Sequence, residues 1–174
     1  VVDLDRTALN VAAGLAVRAR KAGAHRLLLA DEAATLRLAA DIAAILKPGD
    51  IVALSGHLGS GKSLLARAIL RELADDPALE APSPTFTLVQ SYETGQGTVL
   101  HADLYRVRSP DELDDIGLVE DIDRLILLVE WPDRAGTRLP AARRLAIVLD
   151  VDPDHPETGR IADLSGGVLW QQSL

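Results

Sequence analysis

The most constraining feature of the chain is the run Gly56-His57-Leu58-Gly59-Ser60-Gly61-Lys62-Ser63, which satisfies G-x-x-x-x-G-K-[ST] at every fixed position. Its context sharpens it. Ile51, Val52, Ala53 and Leu54 precede it as an unbroken apolar run, the pattern of a buried strand. Leu65, Ala68, Ile69 and Leu73 follow at helical spacing, so a helix with one inward face opens at Lys62. Strand, glycine-rich turn and helix in this order build a phosphate-binding loop, because backbone N–H groups wrap an anion only where side chains do not intervene. The helix start adds unpaired N–H groups and the positive end of its dipole. Lys62 is then placed to reach the β- and γ-phosphates of a nucleoside triphosphate, and Ser63 to ligate Mg²⁺. The residues expected along the nucleotide are Gly56, Leu58, Gly59, Ser60, Gly61, Lys62, Ser63 and Leu64.

At 174 residues the chain is long enough for one well-buried core. Its division is expected to be 1–24, a helical extension of unassigned role, and 25–174, the P-loop domain. Leu9, Ala12, Ala13, Ala16 and Val17 carry the helical register of the extension. The net charge is -8, and the Lys and Arg residues are scattered rather than gathered on one face. Phosphate contacts supply most of the affinity for nucleic acid, so an unaided grip on RNA or DNA is not expected. With no cysteine there are no disulfides and no thiolate metal sites. No run of 18 apolar residues and no signal-like start appear, which makes a membrane partner unexpected and the cytoplasm the expected location.

Along the chain, residues 25–29 read as a short strand, and Asp31 as the N-cap of a helix running to about Leu46. Lys47-Pro48-Gly49-Asp50 is a turn into the P-loop strand, and Asp75-Asp76-Pro77 stops the helix after it. From Pro84 to Tyr92 the side chains alternate, with Phe86, Leu88, Gln90 and Tyr92 on one face, and with residues 98–103 they predict a hairpin-like pair. Ser109, Pro110 and Glu112 spell a capping box, and Gly117 closes a short helix. Residues 125–129 form an apolar strand ending in Glu130, and two further strands, 144–151 and 159–164, are expected antiparallel at one side of the sheet. The sum is an α/β sandwich with a mainly parallel central sheet and helices on both faces.

A phosphate loop needs a second element to hold the metal and aim water. Glu130, at the carboxyl end of a buried strand, fits best, and Asp103 is the second candidate. Thr85 stands where a switch hydroxyl would come. Tyr105, Arg106 and Trp131 flank the acids and could shape the pocket, with Arg106 either near phosphate or in a surface ion pair. His101 could contact phosphate or position a partner, but in an apolar strand it reads first as structural. A guanine-reading N-K-x-D is absent, since Asn10 is the only asparagine. Asp114-Asp115-Ile116-Gly117 matches D-x-x-G but belongs to the capped helix. A small-molecule kinase with a lid over 134–144 stays open, although Pro132, Gly136 and Pro140 mark a connecting loop more simply. A nucleotide-dependent binding module with negligible turnover also stays open.

With these residues laid out, the chain resembles the TsaE (YjeE) family, small bacterial ATPases of tRNA threonylcarbamoyladenosine biosynthesis. The likeness spans about 26–151 and rests on the P-loop with Ser83-Pro84-Thr85-Phe86-Thr87, His101-Ala102-Asp103-Leu104-Tyr105-Arg106 and Glu130-Trp131-Pro132, in that order. It implies the P-loop NTPase fold and slow Mg²⁺-dependent ATP hydrolysis in support of a TsaB–TsaD complex, with tRNA contacted only indirectly. It also implies that Ser63 and Glu130 attend the magnesium while Lys62, Thr85 and Asp103 line the reacting end of ATP. His57 stands where the family usually has Asp, and Ser60 where Ala is frequent. Neither is a fixed position of the phosphate cradle.

Overall fold

The apolar run ahead of the glycine cluster becomes the centre of the sheet. In the computed structural model, which describes residues 25–118 and 121–167, β1 (His25–Leu29) is followed by α1 (Glu32–Ala43), β2 (Ile51–Ser55), α2 (Lys62–Ala74), β3 (Val89–Thr94) and β4 (Gly97–Asp103). Then come α3 (Glu112–Asp115), β5 (Ile126–Glu130), β6 (Arg144–Val151) and β7 (Arg160–Gly166). The helix expected within 1–24 lies outside the described residues. One seven-stranded sheet has the order β1-β7-β6-β2-β5-β4-β3. Strands β6, β2, β5 and β4 run parallel, β7 pairs antiparallel between β6 and β1, and β3 pairs antiparallel with β4.

Both faces of the parallel strands are covered, which is why β2 and β5 read as continuous apolar runs rather than alternating ones. On one face Val52, Leu54 and Leu128 pack with Leu38 and Ile42 of α1 and Leu65 and Ile69 of α2. On the other, Ile51, Ala53, Leu127 and Val129 meet Leu104, Leu113, Leu118 and Leu139 from α3 and the connecting segments. These segments include 3-10 turns at Pro132–Ala135 and Ala141–Arg143, where a connecting loop was the simpler expectation. Among the described residues no helix is long and apolar enough to cross a membrane.

Three boundaries differ from the sequence reading. The helix expected to open at Pro110 behind a Ser109 cap is helical only from Glu112, with Asp111 as N-cap and no side-chain cap. Helix α1 is capped by Asp31, whose Oδ1 accepts from the Ala34 amide at 2.7 Å, but it ends at Ala43 rather than Leu46. The chain tightens there through bonds from the amides of Ile45 and Leu46 to the carbonyls of Ile42 and Ala43. Pro48 then disfavours a helical Lys47, which keeps the chain from resuming the helix beyond this tightened turn. Residues 84–88 are not the start of a strand. β3 begins at Val89, because the Leu88 amide bonds back to Pro84 O at 2.6 Å and Leu88 takes a left-handed φ of 65°. The β3–β4 hairpin itself is present.

Ile69, fully buried between α2 and the sheet, reports on this packing. Ile69→Ala should lower the unfolding free energy by about 2–5 kcal/mol in urea titrations with an unchanged slope. A loss below about 1 kcal/mol would mean that α2 does not pack as described.

Candidate functional site

β2 ends at Ser55, and the chain turns at once. Gly56 has φ 138°, and a Cβ there would come within 2.2 Å of Leu149 O, so the loop can pass β6 only without a side chain. Gly61 takes a left-handed φ of 104° as the N-cap of α2, and no side chain caps the helix. The first amides of α2 are therefore directed at the loop's interior, ready for an anion.

Lys62, the first residue of α2, is buried. Its Nζ donates to Gly56 O at 2.9 Å and His57 O at 2.8 Å, and it sits 4.1 Å from the centre of the Trp131 ring. Burial pushes the ammonium below its ordinary pKa, while the negative charges of Glu130 and Asp103 pull it back up. Trp131 holds its place with a left-handed φ of 58°, its amide bonded to Leu54 O and its ring tilted against Tyr105.

The facing wall is made by strand ends. Register pairs Leu54 with Glu130 and Asp103 with Glu130, so both carboxylates emerge at the carboxyl ends of parallel strands. Glu130 Oε2 accepts from Ser63 Oγ at 2.7 Å, and its Oε1 lies 3.0 Å from His101 Nε2. Asp103 Oδ2 accepts from Thr85 Oγ1 at 2.7 Å and Ser83 Oγ at 3.0 Å, and Oδ1 from the Tyr105 amide at 3.0 Å. These bonds bend residues 83–88 out of the strand predicted for them.

A cleft of about 410 Å³ lies between the two walls, with Lys62, Ser63, Thr85, Asp103, Glu130 and Trp131 among its lining. Every residue named from the sequence for the reacting end of a nucleotide thus shares one cleft. Leu58 stands at its rim, 83% exposed. A second recess of about 220 Å³ lies along the other side of Ser60, Gly61 and Leu64, between Thr35 of α1, Leu149 and Arg160. The sequence reading missed it, because its walls come from distant segments with no shared motif. His101, read first as structural, lies on the same face of β4 as Asp103. Arg106 does not line the cleft; its guanidinium lies 5.7 Å from the ring of Phe86, which is 86% exposed.

Comparison with known proteins decides the family. The model for "Threonylcarbamoyl adenosine biosynthesis protein TsaE" matches residues 29–160. The chain belongs to the TsaE family. It is 40% identical over 107 residues to the tRNA threonylcarbamoyladenosine biosynthesis protein TsaE of Rickettsia felis, a match covering 62% of each chain. It is 40% identical over 108 residues to TsaE of Aquifex aeolicus, covering 62% of this chain and 77% of that one. The crystal structure of Bacillus subtilis YdiB superposes with a TM-score of 0.68 at 26% identity, over 86% of this chain and 90% of the other. The P-loop fold follows for this chain, and its family is one named for threonylcarbamoyladenosine biosynthesis; the match spans a little under two thirds of the Rickettsia felis relative.

Asp103 has three donors, and it ties residues 83–88 to β4. Asp103→Ala should speed amide hydrogen exchange at Leu88 and Tyr105 by about tenfold or more while leaving the amides of α2 unchanged. Uniform acceleration across the chain, or none, would contradict the local anchoring.

Proposed function

We propose that this chain binds Mg·ATP across the cleft and hydrolyses it slowly, in support of a TsaB–TsaD complex that forms threonylcarbamoyladenosine on tRNA. The observation that carries the reading is the convergence of a buried ammonium, a hydroxyl and a strand-end carboxylate at one helix N-terminus: Lys62, Ser63 and Glu130. The partners come from the family resemblance. The net charge of -8 favours reaching tRNA through partners rather than directly.

The residues present suit the ligand. No side chain caps the N-terminus of α2 at Gly61, and Ser60 Oγ beside it is buried with no protein partner. Ser63 and Glu130 offer hard oxygen donors, which magnesium prefers. Among the described residues no group of three or more His, Asp or Glu is arranged to hold a metal, so magnesium here would rely on phosphate oxygens and water as well. Bound there, the ion would neutralise charge on the transferring phosphate and on the departing diphosphate. Lys62 would exchange the carbonyls of Gly56 and His57 for β- and γ-phosphate oxygens. The amides of residues 59–63 would cradle the β-phosphate. Glu130 would orient the water that attacks the γ-phosphorus as the bond to ADP breaks, and Thr85 and Asp103 would close the γ-phosphate side. The recess beside Leu64 would take the base and ribose, with Leu149 as an apolar wall and Thr35 and Arg160 as polar contacts. Adenine preference rests on the family.

Lys62 and Glu130 are already engaged with protein groups, which favours slow turnover by the isolated chain and keeps the binding-module reading in play. The kinase reading has less support, since Arg138, in the stretch that would be a lid, is paired with Asp111 and Asp114.

Calorimetry and phosphate release with the full chain test the proposal. A hydrogen bond to a charged group contributes about 1.5–3 kcal/mol, so Lys62→Ala should weaken Mg·ATP binding about 10- to 100-fold. Glu130→Ala should cut turnover about 100-fold or more while affinity moves far less. Wild-type binding and turnover in Lys62→Ala would remove the P-loop from the mechanism.

A further inference from the structure

His101 is a buried polar residue that the proposed mechanism does not use. It lies on β4 opposite Leu128 of β5, is 0% exposed, and shares the face from which Glu130 emerges two residues further along β5. Its Nε2 is 3.0 Å from Glu130 Oε1, and its Nδ1 is buried with no hydrogen-bond partner. An apolar side chain would fill this place without an unpaired nitrogen, so packing alone does not explain an imidazole here.

We propose that His101 is the positioning residue for Glu130: its Nε2–H fixes the carboxylate plane so that Oε2 points across the cleft at Ser63. The proton assignment follows from the partners. An ionised carboxylate has acceptors only, so the proton in this bond belongs to Nε2. Nδ1 is then bare. The terminal torsion of a glutamate is soft, so without a second bond the carboxylate would turn freely about it. The two acids of the cleft are thereby separated in role. Asp103 is committed on both oxygens to Ser83, Thr85 and the Tyr105 amide, whereas Glu130 is anchored on one oxygen by His101 and presents the other only to the Ser63 hydroxyl.

This inference rests on the reading that Glu130 attends Mg·ATP, and the test separates the two. In the nucleotide-free full chain, imidazole ¹⁵N NMR should find the His101 proton on Nε2; a proton on Nδ1 overturns the proposal without any mutation. Histidine replaced by glutamine keeps an N–H donor near the Nε2 position, whereas asparagine is too short to reach. His101→Asn should lower turnover about 10- to 100-fold, mainly in kcat rather than KM, while His101→Gln stays within about threefold of wild type. Equal activity of the two variants, high or low, overturns positioning. Loss of turnover in Glu130→Gln alongside full activity in His101→Asn would reject His101 and leave the Mg·ATP reading standing. Wild-type turnover in Glu130→Gln would reject both.

Discussion

The parallel register of β2, β5 and β4 is the constraint on which the site depends. It sets Leu54 beside Glu130 and Glu130 beside Asp103, at the strand ends that face the start of α2. Because the strands are buried on both faces, a slip of one residue would exchange the two apolar sets and turn the carboxylates away from the helix. The register is therefore enforced by the whole core. Ile51, Ala53, Leu127 and Val129 must point one way for Val52, Leu54, Leu128 and Glu130 to point the other. A chemically expensive arrangement, two acids and an ammonium with little water, is stabilised by packing remote from it.

What the sequence makes legible follows the range of the interactions. The P-loop and its strand and helix are local, so fixed spacing and apolar periodicity reveal them. Glu130 is visible because a buried strand that ends in a carboxylate is unusual. The capping box is only half realised: Glu112 Oε1 accepts from the Ser109 amide, but α3 starts at Glu112 with Asp111 as its N-cap and no side-chain cap. Residues 83–88 mislead: their alternation is real, but Asp103, from another strand, captures the hydroxyls of Ser83 and Thr85 and bends the segment. The end of α1 is lost for a smaller reason: residues 44–46 tighten into i→i+3 bonds from Ile45 to Ile42 and Leu46 to Ala43, which apolar spacing does not distinguish from helix. His101 and the recess formed by Thr35, Leu149 and Arg160 depend on pairings across the sheet, which no local pattern encodes.

The polar groups of the cleft are engaged with one another. Lys62 rests on the carbonyls of its own loop and under Trp131, and Ser63 rests on Glu130. A polyphosphate entering the loop must compete for both. In the proposed reading, binding exchanges a few charge-assisted bonds within the loop for bonds to phosphate. The TsaE family, to which the chain belongs, is one named for threonylcarbamoyladenosine biosynthesis. Leu58 and Phe86 stand exposed near the elements that would respond to such an exchange, the P-loop and the segment that Asp103 holds.

The most direct test of this account is a crystal structure of the full chain with Mg²⁺ and a non-hydrolysable ATP analogue. It should show the β-phosphate among the amides of residues 59–63, Lys62 Nζ moved from Gly56 O and His57 O to phosphate oxygens, and Ser63 and Glu130 facing one metal ion. Phosphates bound elsewhere, with Lys62 still on its own loop, would contradict it.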